Sequence, residues 1–168
     1  MLAVAWGGMI VWETHVNRET AIDQASEFAS SVHEMTMAGL TGMMITGTVA
    51  QREVFLDQIK DLSVIKDLQV IRGEAVSRQF GAGGRGEASL GPDEAAVMRS
   101  REPLVRVESD GRGNYLQVIR PVLASDNYLG KNCLGCHQVA KGSVLGVVSM
   151  KVSLDKVDAA VDRFMAQR

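Results

Sequence analysis

The sequence predicts an α+β domain, and three observations carry that expectation. Ala25, Phe28, Ala29, Val32 and Met35 recur at three- and four-residue intervals inside a proline-free stretch, residues 13–45, which is the period of a helix. Leu104-Val-Arg-Val-Glu-Ser109 and Tyr115-Leu-Gln-Val-Ile-Arg120 flank the turn-forming run Asp110-Gly-Arg-Gly-Asn114, the pattern of an antiparallel hairpin. A further branched run, residues 143–152, leads into Ser153 and Asp155, residues suited to the cap and first turn of a closing helix. Long helix, short helices and antiparallel strands together define the class.

Taken in order, the chain opens on an apolar run, Met1-Leu-Ala-Val-Ala-Trp-Gly-Gly-Met-Ile-Val-Trp12. A membrane-spanning helix needs about 20 such residues, so residues 1–12 are too short to cross a bilayer alone. They also lack the cationic start and small-residue cleavage site of a signal peptide. They are expected to be the outer end of a truncated transmembrane helix, the alternative being a buried N-terminal helix. Residues 13–168 then form one domain. Its first helix covers residues 13–45, Thr46-Gly47-Thr48 interrupts it, and a second helix is expected over residues 51–62.

The period changes at Leu68-Gln-Val-Ile-Arg72, which reads as a strand ended by Gly73. Residues 74–80 suit a short helix. Five glycines (81, 83, 84, 86 and 91) mark a mobile surface loop over residues 81–91. Pro92-Asp-Glu begins another helix, with proline and acids in its first turn. The second strand of the hairpin is expected to run past Pro121 to Ala124. In the closing helix Val157, Ala160, Val161 and Phe164 share one face.

Composition narrows the function classes. At 168 residues, with 46% apolar and 23% charged residues and a net charge of −2, the chain has the make-up of one globular domain. Its mixed charges lack the basic stripe of a nucleic-acid binder. No carboxylate pair or nucleophile–base set stands out, and the glycines of residues 81–91 lack the spacing and lysine of a phosphate loop. A non-enzymatic role is therefore expected. Aromatics make up only 5% while methionines number nine. Such a core has room for another large flat apolar group, although methionine also fills ordinary gaps.

One motif carries chemistry. Cys133-Leu-Gly-Cys136-His137 has the Cys-x-x-Cys-His pattern of c-type haem attachment. Two thiols three positions apart reach the two porphyrin vinyl groups, and the adjacent histidine offers an imidazole nitrogen to iron. The competing readings are weaker. A redox Cys-x-x-Cys does not require the histidine, and zinc needs further ligands nearby. The other histidines, His15 and His33, fall in a distant predicted helix, and a Cys133–Cys136 disulfide would close a strained small loop. One covalent haem c is expected, held outside the cytoplasm.

The sixth iron ligand stays open. His33, Met37 and Met44 project within roughly 40° of one another on the predicted helix, with Leu40 beside them. Met44 is the preferred candidate, then Met37, with Met43, Met35, His33 and water as alternatives. Met35, Gly39 and Gly42 lie on the opposite side, where small residues let another helix approach closely.

The chain resembles the periplasmic PAS-like c-haem sensor domains of bacterial methyl-accepting chemotaxis receptors and related membrane signalling proteins. The resemblance rests on Met35-Thr-Met-Ala-Gly-Leu-Thr-Gly-Met-Met-Ile-Thr-Gly47, Leu68-Gln-Val-Ile-Arg-Gly-Glu74 and Tyr128-Leu-Gly-Lys-Asn-Cys-Leu-Gly-Cys-His137. It implies a PAS-like antiparallel sheet with a c-type haem loop, packed on long N-terminal helices that pair two copies as a homodimer. It also implies a methionine or water as the sixth ligand, with Cys133, Cys136 and His137 as the attachment set.

The resulting expectation is the periplasmic sensor domain of an inner-membrane signal transducer, responding to redox state or a gaseous haem ligand. The alternative is a membrane-anchored monohaem cytochrome that passes electrons to a partner protein. Such carriers are usually compact and helical and need no hairpin.

Overall fold

The computed structural model describes residues 2–83, 89–157 and 159, with side chains in the first helix from Arg18 onward. It is an α+β structure built on one four-stranded antiparallel sheet.

Helix α1 spans Leu2–Thr46 without a break, about 68 Å at 1.5 Å per residue. It therefore continues through the apolar opening run as one element. Among the described residues no helix is long and apolar enough to cross a membrane. The buried face of α1 is Ala21, Ala25, Ala29, Val32, Thr36 and Leu40. Alanine at three of these positions lets the backbone lie close against the sheet. Thr36, wholly buried, returns its hydroxyl to the Val32 carbonyl at 2.7 Å, so no donor is left unpaired. Gly47 (φ 72) ends the helix, and Thr48 N–H closes on the Met43 carbonyl at 2.8 Å.

Helix α2, Arg52–Lys60, turns back along α1. The expected close approach at the small residues is met at Gly39, where an added Cβ would collide with the Phe55 ring; Gly42 has open space instead.

The sheet has the order β1-β4-β3-β2, with β1 Ile65–Arg72, β2 Leu104–Asp110, β3 Gly113–Leu123 and β4 Val144–Ser153. Strand β1 starts three residues before the expected Leu68. A bulge between Ile65 and Asp67 is the reason. It sets two residues against one and hides the alternation that marks a strand. Pro121 is tolerated in β3 because the β2 ladder has already ended at Leu104–Ile119.

Both sheet faces are covered where the central strands run. Leu68, Leu116, Val118, Val148, Met150 and Val152 belong to the larger core, with Ala25 and Ala29 of α1. Ile71, Ile119 and Val147 form a smaller core with Val97 of α4, Pro92–Ser100. That double burial explains the nearly unbroken apolar run of β4. Helix α3, Glu74–Phe80, directly follows β1. Ser153 caps the closing helix as expected, accepting from Lys156 N–H at 3.3 Å, and residues 154–157 are helical. Val157 is buried. The expected partners Ala160, Val161 and Phe164 lie outside the described residues, as do glycines 84 and 86 of the expected mobile loop.

Candidate haem site

Between β3 and β4 the chain leaves the sheet and returns, and the excursion holds the Cys-x-x-Cys-His motif. Its neck is two backbone hydrogen bonds, Ala124 N–H to the Ser143 carbonyl and Gly142 N–H to the Ala124 carbonyl, each 2.8 Å. Inside, Tyr128 and Lys131 exchange backbone hydrogen bonds of 2.7 and 2.9 Å around a two-residue turn. Leu129 (φ 49) and Gly130 (φ 76) give it the type I′ pattern. Cys133 N–H then donates to the Ser125 carbonyl at 2.8 Å, drawing the motif back onto the strand end.

The motif folds on itself for local reasons. Asn132 Oδ1 accepts from Leu134 N–H at 2.9 Å and starts a 3₁₀ turn, Cys133–Gly135. The Cys133 carbonyl accepts from both Cys136 N–H (3.3 Å) and His137 N–H (2.9 Å). Cys133, half-buried, packs with Tyr128, Leu134 and Val139 against the larger core, whereas Cys136 is exposed. His137 is half-buried, and burial pushes its imidazole pKa below the usual histidine value.

Two other elements reach the loop. From α3, Gln79 Nε2 donates to the Cys136 carbonyl at 2.8 Å, and its Oε1 accepts from Gln138 N–H at 2.9 Å. Beside it the Phe80 ring stands edge-on to His137, with centroids 5.4 Å apart. From α1, His33 is buried and its Nε2 lies 3.5 Å from the Tyr128 hydroxyl. Burial, and then the nearby charge of Arg120, lower its pKa to about 4. Burial raises the Tyr128 phenol, with the charges of Glu34 and Cys133 adding to it. Arg120 donates through Nη2 to Ser30 Oγ at 2.6 Å. Among the described residues, three buried side-chain nitrogens have no hydrogen-bond partner: His33 Nδ1, Arg120 Nε and His137 Nδ1.

The candidate residues separate accordingly. Cys133, Cys136 and His137 come together within one turn. Met37 is buried in the same core cluster that Cys133 packs against. Met44 is 45% exposed and Met35 59% exposed, while Met43 is half-exposed. Gln79 and Phe80 carried no signal of a shared site in the sequence. Each stands 57 positions from the motif residue it touches, and no spacing rule links them.

Both cysteines are free thiols. Among the described residues no three of His, Cys, Asp or Glu gather as a metal cage. A site offering two thiols, one imidazole and an unpaired ring nitrogen suits a metal that brings its own equatorial nitrogens, as a porphyrin does. No protein-family model matches the chain, and no curated protein matches it.

Proposed function

We propose that this chain is the extracytoplasmic, PAS-like c-haem sensor domain of a transmembrane signal transducer, responding to redox state or to a gaseous haem ligand. The observation that carries the reading is the Cys133-x-x-Cys136-His137 set, presented as two free thiols and an imidazole on one short turn. Cys133 and Cys136 would hold the haem by adding their S–H bonds across its two vinyl groups, and His137 would offer its imidazole to the iron. When bound, the haem supplies one-electron chemistry and an iron position at which a small ligand can exchange.

The chain's own residues do the rest. Cys133 anchors the inner end of the motif in the core, and Cys136 keeps the outer end at the surface. His33 and Tyr128 join the loop to α1, and α1 runs unbroken back to Leu2. A change at the loop therefore has a continuous helix along which to act, which supports a sensor over an electron carrier. Signalling requires that the two ligation states favour different α1 positions, since a ligand shifts an equilibrium only by its differential affinity. We place residues 13–168 in the periplasm. A dimer through the N-terminal helices is the proposed assembly.

The test is export of the protein with a cytochrome c maturation system, followed by a pyridine haemochrome assay on denatured protein. A covalent haem is expected in the parent, a single thioether in Cys133→Ser and in Cys136→Ser, and none in the double variant. A parent without covalent haem would sink the reading. Spectra of the reduced protein with CO and NO then separate an open iron site, favouring gas sensing, from a closed one, favouring redox sensing.

A further inference from the structure

Resting on that reading, we infer that Gln79 is a positioning residue for the axial histidine, gripping the backbone on both sides of His137 and so fixing where its imidazole points. One side-chain amide makes both contacts. Its Nε2–H donates to the carbonyl of the preceding residue, Cys136, at 2.8 Å, and its Oε1 accepts from the N–H of the following residue, Gln138, at 2.9 Å. A primary amide is the group that does this, because it presents a donor and an acceptor side by side. Asp or Glu lacks the donor and Lys or Arg lacks the acceptor. The two peptides flanking His137 are thereby tied to a helix 57 and 59 residues away in sequence.

The neighbouring residue completes the grip. Phe80 sets its ring at 81° to the imidazole, in the edge-to-face geometry that aromatic rings prefer. Phe80 is 55% exposed, so core packing does not explain its placement. Helix α3 is itself held to the sheet, since Gly73 N–H donates to the Leu145 carbonyl at 2.8 Å and Ser77 N–H to the Gly73 carbonyl at 3.1 Å. Ring orientation and the partner of the second ring nitrogen are levers that outer groups exert on an iron ligand. Here the backbone and one ring face are fixed by α3, while Nδ1 has no partner of its own. Orientation is the lever this grip supplies.

The experiment compares parent, Gln79→Ala, Gln79→Glu and Phe80→Leu by three readouts: haem content, amide exchange at Gln138, and the low-temperature EPR spectrum with the reduction potential of the matured protein. In Gln79→Ala, Gln138 N–H should exchange roughly five- to tenfold faster, the scale of one lost hydrogen bond. Its haem content should stay at the parent level, with a shifted potential and a broadened EPR signal. Gln79→Glu keeps the acceptor for Gln138 N–H and loses the donor to Cys136, so its exchange stays near the parent and its spectrum falls between the two. Phe80→Leu should broaden the EPR signal without affecting the Gln138 amide. An unchanged potential and EPR signal in Gln79→Ala, with faster exchange at Gln138, would overturn the inference while leaving the haem assignment intact. A parent that takes up no haem removes the haem assignment itself, and the inference with it.

Discussion

The Tyr128 hydroxyl and His33 Nε2 meet at 3.5 Å across the junction of the cysteine loop and the long helix. The ring beyond them is buried, with Nδ1 unpaired. His33 is thus held neutral inside the protein, its pKa lowered to about 4 from 6.5 by burial and then by Arg120.

The sign of the pH effect follows. Above pH 6.5 the imidazole is neutral in both folded and unfolded chains and contributes no pH dependence. As pH falls from there to about 4, the unfolded chain takes up the proton and the folded chain does not, so stability falls. The loss should reach roughly 2–3 kcal/mol once residual solvent contact of the ring is allowed for. Glu108, Asp110 and Asp126 are held below their ordinary 4.5, 3.8 and 3.8, first by hydrogen bonds from Tyr115, Lys66 and Lys141 respectively. Their stabilisation is present above those ordinary values and is lost as pH falls through their lowered ones, so it fades at more acid pH. Urea midpoints measured down the pH scale should decline in the parent and decline less in His33→Gln. Equal slopes would show that His33 is not the group responsible.

Two glycines on α1 should behave oppositely. A methyl at Gly39 meets the Phe55 ring, whereas Gly42 has nothing within 4 Å. Gly39→Ala should cost about 1–3 kcal/mol through overpacking, less the helix propensity that alanine adds. Gly42→Ala should gain up to about 1 kcal/mol from propensity alone. Denaturant unfolding of both variants decides it, and similar shifts for the two would contradict the packing described.

Leu129 sits at φ 49 in an exposed two-residue turn before Gly130. Asparagine tolerates that conformation better than leucine. Leu129→Asn should therefore stabilise the protein by about 0.5–1 kcal/mol, with little burial to lose. A lower melting temperature in this variant would mean that the leucine makes a contact elsewhere in the assembled protein.

Met37 and Met44 can be told apart as candidate ligands of the proposed haem because their packing differs. Met37 is 7% exposed and its truncation to alanine should cost about 2–4 kcal/mol whatever its role. Met44 is 45% exposed, so Met44→Ala should change stability by less than about 0.5 kcal/mol. A loss of the six-coordinate optical spectrum in Met44→Ala would then report ligation rather than repacking, and an unchanged spectrum would remove Met44 from the candidates.

Much of the fold was legible in the sequence because its strong signals are local. The period of α1, the turn residues at 110–114 and the cap at Ser153 each act within a few positions, and each has its expected counterpart in the structure. The start of β1 was not legible, since the bulge at Ile65–Asp67 breaks the alternation. Within the site, Cys133, Cys136 and His137 announce themselves by spacing. Gln79 is a polar residue on a short helix, like many others, until the fold carries it to the other side of His137. The crowd of methionines on α1 was visible as a list. Which of them face inward depends on where the sheet lies beneath the helix, and that is a tertiary fact.

The two-bond neck at Ala124, Gly142 and Ser143 has a consequence for how such a protein can change over generations. Everything from 125 to 142 lies outside the ladder between β3 and β4, so substitutions, insertions and deletions there leave the strand register alone. The loop is in this sense a replaceable cassette, and the sheet a mount that outlasts it. The attachments to α3 through Gln79 and to α1 through Tyr128 and His33 are tethers a transplanted loop would have to reproduce.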